Sequence, residues 1–454
     1  MNDILEENKT EIKLLVITVL FSILAVFIPG FSKVWGIGVI LIGAYQIIRN
    51  GNQNEEAAKW SAYFAALEMI MRTTKGSIFY EAGKYGVILF LILGLVYSPQ
   101  AKKYNIWWVF ILLLIPGLLI TNHFESARFA LSGPVALAVS AFYFAGRSVT
   151  WDDYKTLLKW LIIPVIGLCV VLTLKTPDFS KIVFTANSMY ATTGGAGPVH
   201  ISGILGGALL LILVMLLINT PLFFNRLVSI VVSAFFGLRL LLSFSRAGVY
   251  SCIISFIIVL WQLIKHKYLE IERSKLIGYS LLVAVLSISV WQVVDNMTGG
   301  MAYNRYSGRD TDGSEKADIS TGRSNLFKQE IQMFLDNPII GIGAGEVVTV
   351  RNALYSSKQP SHTEYSRLLA EHGFFGVIDL IILIAFPIFW YKKTNGLSRI
   401  FFLANMSYAL LILFPSSTRI IFPLFLYGLA FLDIEEFEYS EEIEGTEIAL
   451  CRNH

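Results

Sequence analysis

The chain of 454 residues is 55% hydrophobic and 15% charged, where a water-soluble domain carries about 25% charge. That balance excludes a soluble globular protein, and a net charge of +3 spread over short connections excludes a nucleic-acid binder. Three cysteines, Cys169, Cys252 and Cys451, make neither a disulfide framework nor a zinc-ligand spacing.

A membrane-crossing helix needs about 20 mostly apolar residues. Runs of that kind stand near 13–29, 34–48, 57–72, 85–98, 106–121, 129–146, 157–175, 201–219, 226–243, 247–264, 276–294, 373–391, 400–415 and 418–432. The first follows an acidic stretch instead of the basic start of a cleavable leader, so it is expected to stay as an anchor. The third contains Glu68 and reads either as a span or as a helix on the membrane surface. The runs near 34, 85 and 418 are short. The predicted fold is therefore all-α, a polytopic bundle of about 12–14 transmembrane helices.

Four regions follow: residues 1–294 with about eleven spans, 295–372 as one long outer connection, 373–432 with about three more spans, and 433–454 as an acidic, solvated tail. Lys102 with Lys103, the Lys265–Lys275 loop, and Lys392, Lys393 and Arg399 mark cytoplasmic loops, because short basic loops stay inside. An even number of spans puts both termini on that side. The outer face then carries His123, the 175–200 loop, the turn at Arg246 and all of 295–372. No internal repeat of the kind that builds two-halved transporters is visible.

The outer connection is far longer than a usual loop, which marks it for function. Its first third, 295–321, is rich in Gly, Ser and Asp and reads as irregular. Ser324–Asp336 has apolar residues at helical spacing (Leu326, Phe327, Ile331, Phe334, Leu335), and Asn337-Pro338 ends that helix. Ile339–Glu346 interleaves glycine with apolar residues but lacks the Lys-Ser/Thr of a phosphate loop, so it reads as a tight turn packed on the membrane domain. Ser361-His-Thr-Glu364 has the form of a capping box, with Ser361 at the N-cap, His362 as first helical residue and Gly373 as terminator. At a helix start His362 would stay neutral, as a general base must. Its other reading is a loop histidine satisfied by a backbone carbonyl.

Arg246 lies in Ser245-Arg-Ala-Gly248 at a turn too short to leave the membrane surface. An intramembrane arginine costs on the order of 2.5–3.5 kcal/mol, which calls for a partner, either a lipid headgroup or a substrate anion. Arg305, Arg309 and Arg323 share the outer connection with His362. Guanidinium groups grip phosphate oxygens in pairs, so this grouping points to a lipid phosphate or diphosphate. His200 and Glu346 are candidates for an acceptor path, and Asp310, Glu346 and Glu364 are alternative bases, with Glu364 expected to be taken up by the capping box. No Asp-x-Asp or His/Cys set suggests a metal, and no cofactor is expected.

The order of a Ser-Arg-small-Gly turn, a long outer loop with Gly322-Arg323, Asn337-Pro-Ile-Ile-Gly-Ile-Gly-Ala-Gly345, and His362 followed by Gly373-Phe-Phe-Gly376 resembles the O-antigen ligase and polymerase superfamily. The resemblance covers the C-terminal half. It implies a GT-C-like, metal-independent, inverting glycosyltransferase of the bacterial inner membrane, working at the periplasmic face. The implied donor is a glycan on undecaprenyl diphosphate, and the implied acceptor is the lipid A core for a ligase or a second lipid-linked glycan for a polymerase. Membrane lipids are further partners and a chain-length regulator is an optional one. His362 matches the family histidine, and Arg246 and Arg323, then Arg305 and Arg309, match arginines that hold the diphosphate. Thr363 follows the histidine where Asn, Ser or Gln is frequent in the family, and Val-Ile-Asp follows Gly376 where the protein-glycosylating branch tends to show Thr-x-Trp, which lowers the expectation of a protein acceptor. The ligase is the leading reading, the polymerase second, and a flippase or transporter of lipid-linked sugars third.

Overall fold

The structure, a computed structural model, describes residues 2–99, 103–177, 188–266, 273–309, 314 and 322–435. Lys102, Lys267, Asp310, Cys451 and the tail beyond Glu435 lie outside the described residues. In chain order the helices are α1 (Asn2–Phe27), α2 (Phe31–Asn50), α3 (Glu56–Thr73), α4 (Ala82–Tyr97), α5 (Ile106–Leu113), α6 (Ile115–Leu119), α7 (Phe124–Phe144), α8 (Trp151–Lys175), α9 (Ser188–Thr192) and α10 (Pro198–Leu217). There follow α11 (Arg226–Leu242), α12 (Arg246–His266), α13 (Arg273–Met297), α14 (Met301–Tyr306), α15 (Arg323–Asp336), α16 (Val347–Tyr355), α17 (Glu364–Tyr391), α18 (Gly396–Ser416) and α19 (Ile421–Leu429). Two short strands, β1 (Ser148–Thr150) and β2 (Asp433–Glu435), pair in parallel. The molecule is an all-α polytopic membrane protein, and nine of its described helices are long and apolar enough to cross a membrane.

The chain runs back and forth between two ends of this bundle. At the strand end β1 meets β2, Arg147 donates to the Ser98 carbonyl, and Lys159 of α8 pairs with Glu11 of α1. At the loop end Lys175 donates to the Thr73 carbonyl at 2.5 Å, and Arg72 donates to the Arg419 carbonyl at 3.1 Å. Each run predicted from the sequence falls on a helix.

The third run is not a surface helix. In α3 the small residues Ala57, Ala58, Ala62, Ala65 and Ala66 are all buried, because small side chains let neighbouring backbones approach closely. Its charges are taken up internally: Glu68 accepts from Arg72 at 2.7 Å and from the Ile421 amide at 2.9 Å. The 106–121 run is broken into α5 and α6 because Pro116 has no amide hydrogen to offer the Leu112 carbonyl. The last run is shorter than expected, since α19 begins only at Ile421. Residues 433–435, expected as solvated tail, are drawn into β2, where Ser398 donates to Asp433 at 2.6 Å and accepts from the Ile434 amide at 2.8 Å.

A short α19 has a consequence for depth. A Cβ on Gly133 of α7 would lie 2.3 Å from Thr418, and Gly133 stands about 13 Å along the helix from Phe124 at 1.5 Å per residue. The turn before α19 is thus sunk well below the outer tip of α7.

The 322–372 segment is built over that recess. α15 forms one residue earlier than the apolar spacing predicts and turns Leu326, Glu330 and Met333 inward, while Phe327 and Leu335 are exposed. α16, which the sequence reading left without structure, follows. The glycine-rich turn is pinned by backbone bonds, Ile342 to the Ala370 carbonyl and Ala344 to the Gly117 carbonyl, both 2.9 Å. At Gly345 φ is +77° and a Cβ would meet the Ser126 backbone at 2.3 Å, so only glycine fits.

One buried carboxylate joins these pieces. Glu330 pairs with Arg351, both side chains 0% exposed, and accepts from Ser361 at 2.6 Å and from Ser366. Removing one partner of such a pair strands the other charge, so Glu330→Ala should destabilise the protein by about 3–5 kcal/mol. Thermal unfolding in detergent measures this. Glu330→Met combined with Arg351→Met should recover most of the loss, and no recovery would refute the account.

Candidate functional site

His362 lies between α16 and α17, held by its neighbour Ser361, whose hydroxyl donates to Glu330. The capping box does not form. α17 starts at Glu364 with Thr363 as N-cap and no side-chain cap bond. Ser361 is committed to Glu330, and Glu364 accepts from Arg367 at 2.5 and 3.1 Å, Ser417 at 2.5 Å and Thr418 at 3.1 Å. A buried carboxylate surrounded by tertiary donors has no free valence for a local cap. Gly373 does interrupt the helix, with φ 57° and ψ −131°, but the chain resumes as the rest of α17.

The neutrality expected of His362 therefore has another cause. Burial first, then the guanidiniums of Arg419, Arg323 and Arg351, push its pKa from 6.5 down to about 4. The nearby Pro415 backbone opposes this, as the smallest of these influences. In a neutral imidazole one nitrogen donates and the other accepts, so the ring retains a nitrogen able to take a proton.

The arginines converge from separate elements. Arg323 is the first residue of α15, after Gly322 at φ 84°. Burial and then Arg246, Arg305 and Arg419 lower its pKa, so four guanidiniums share one neighbourhood. Arg246 is the first residue of α12, and its position follows from a close backbone approach: a Cβ on Gly248 would sit 2.1 Å from the Ser202 carbonyl, and Ser202 bonds Ser245 at 2.9 Å. The Ser-Arg-small-Gly turn is thus pinned to α10. Arg305 donates to the Phe244 carbonyl at 3.1 Å. Two helix N-termini and these side chains make an environment suited to a polyanion.

Not all predicted residues join this group. Arg309 is exposed, its guanidinium 5.6 Å from the Tyr303 ring centre. Glu346 accepts from Thr121 and the Asn122 amide at 2.9 Å and contacts His123 at 3.0 Å, so it braces the α6–α7 turn. Burial raises its pKa, but these bonds outweigh burial and leave it lowered. His200, near the start of α10, lies in the neighbourhood of Arg72, Arg419, Lys84 and His362. His372 is buried at the Gly373 kink.

Three cations were missed from the sequence: Arg419, Arg72 and Lys84. Arg419 is the leading charge on His362 and donates to the Ser361 carbonyl. The signal was available, because the argument that singled out Arg246, an arginine at the membrane boundary requiring a partner, applies equally within Ser416-Ser-Thr-Arg419.

Residues 230–381 match a family described as O-antigen ligase. That segment carries Arg246, Arg305, Arg323 and His362, whereas Arg419 lies beyond it. No curated protein and no solved structure matches the chain.

Since guanidiniums depress the imidazole pKa, Arg419→Ala and Arg323→Ala should each raise it toward 6.5. Nitrogen-15 NMR of labelled histidine in the purified protein reads this directly. Titration of His362 near 6.5 in the unaltered protein would refute the electrostatic arrangement.

Proposed function

We propose, from the membership of the O-antigen ligase/polymerase superfamily that the match over residues 230–381 supports, that this protein transfers a glycan from undecaprenyl diphosphate to a hydroxyl acceptor. The loop end faces the periplasm in this reading, with the strand end and both termini cytoplasmic and the bundle in a bacterial inner membrane. The lipid A core is the leading acceptor. The observation that carries the reading is the placement of His362 against Arg419 and Arg323, with Arg246 and Arg305 acting on Arg323 in turn.

The chemistry follows from the groups. Arg246, Arg305 and Arg323 grip the diphosphate and offset the charge that grows as the sugar leaves. The acceptor hydroxyl attacks the anomeric carbon, its proton passes to the free imidazole nitrogen of His362, and the carbon–oxygen bond to phosphate breaks with its electron pair going to the diphosphate. Direct displacement inverts the anomeric centre. Guanidiniums supply here the charge compensation that a divalent ion supplies elsewhere, so the reaction needs no metal. His200 flanks the acceptor's approach. A bound diphosphate also cancels the positive field on His362 and raises its basicity, so the base becomes effective only when donor is present.

His362→Ala should lower transfer by about 10²–10⁴-fold while donor binding changes little. Arg323→Ala should weaken donor binding by roughly tenfold or more, the size of a charge-assisted hydrogen bond. Purified protein given lipid-linked glycan with and without lipid A core reads both and separates ligation from a lengthening polymer ladder. Full activity in His362→Ala would end the proposal. The acid limb of kcat, which reports the donor complex, should lie at higher pH than that of kcat/KM, which reports the free enzyme.

A further inference from the structure

A cavity of about 430 Å³ is lined by Ser361, the neighbour of His362 in the chain, and by Arg419. Arg246, Arg305 and Arg323 do not line it. Its rim includes the exposed Glu125, which is paired with Arg128 at 2.9 Å. Its deep end carries Lys84 and the 417–419 turn. Lys84 is 1% exposed, donates to the neutral Ser132 at 3.1 Å and lies 5.4 Å from the Phe129 ring centre. Ser132 and Gly133 place this end about 12–13 Å below the tip of α7. Arg367 also lines the cavity, but its charge is met by Glu364 and Glu371, the latter at 2.7 Å.

Of the four guanidiniums that share the neighbourhood of Arg323, only Arg419 also lines this cavity, where it is joined by Lys84. The carboxylates nearest Lys84, Glu68 and Glu81, are themselves paired with Arg72 and Arg128, so a buried ammonium whose direct hydrogen-bond partner is a neutral hydroxyl stands at the end of this cavity, a place suited to an anion. Arg246, Arg305 and Arg323 account for the donor diphosphate, and the cavity lined by Lys84 and Arg419 has no ligand assigned.

We propose that the Lys84–Arg419 cavity is an acceptor subsite for an oxyanion, a phosphate or sugar carboxylate that the acceptor carries near its attacking hydroxyl. This rests on the transferase reading above. The anion anchors the acceptor through Lys84 while the hydroxyl reaches His362 past Ser361. The enzyme would then select for charged acceptors.

The test uses the full-length protein in nanodiscs, one lipid-linked glycan donor, and acceptors matched except for a phosphate, a carboxylate or neither. The unaltered protein should show an acceptor KM about tenfold lower for at least one charged acceptor than for the neutral one, and the charged form that gains identifies the source. In Lys84→Gln that advantage should disappear through acceptor KM. Lys84→Arg should keep it, which controls for folding. Equal KM for all three acceptors, or a Lys84→Gln effect on donor KM instead, would overturn the subsite. Loss of the transferase reading itself would show separately, as unimpaired transfer by His362→Ala.

Discussion

The site depends on Glu330. Its carboxylate holds Arg351 of α16, Ser361 beside the histidine and Ser366 of α17 from a position on α15 two turns after Arg323. Four segments that would otherwise be loosely connected are thereby placed relative to one another. A buried charge tolerates few alternatives, since each lost partner exposes the desolvation penalty of the rest. The residue next to His362 is thereby tied to the helix that begins at Arg323.

Two further carboxylates work the same way. Glu364 ties α17 to Ser417 and Thr418, and Glu68 ties α3 to the start of α19. Both act on the turn that presents Arg419. A division of labour among cations results: Arg72, Arg351 and Arg367 are consumed by carboxylates, while Arg419 and Arg323 form no ion pair among the described residues. The first set builds the frame, and the second leaves positive field directed at His362. An anion entering the site relieves that field, which links donor binding to the basicity of the imidazole without any movement of the backbone.

Depth is the other constraint. The 415–419 turn is sunk along α7, and the short α19 completes the crossing where neighbouring helices cover it. The Ser245–Gly248 turn is drawn against α10 by the near-contact of two backbones. Polar groups at this depth survive because protein, not lipid, surrounds them.

The sequence alone determined the all-α membrane architecture, because hydrocarbon thickness imposes a minimum apolar length that composition reveals directly. It also singled out Arg246, since an arginine at a membrane boundary demands a partner, and His362 and Arg323 through their place in the long outer connection and the resemblance they carry. The cap at Ser361 was misread because local spacing cannot show that Glu330, far away in sequence, claims the hydroxyl first. Arg419 could have been flagged by the argument applied to Arg246, but its place beside His362 was not legible, because only the packing of α19 against α7 reveals that the turn before it lies inside the bundle. Burial of Glu330, Glu364 and Glu68 was decided by tertiary structure alone, because the partners that make a buried carboxylate tolerable come from helices that the chain order keeps apart.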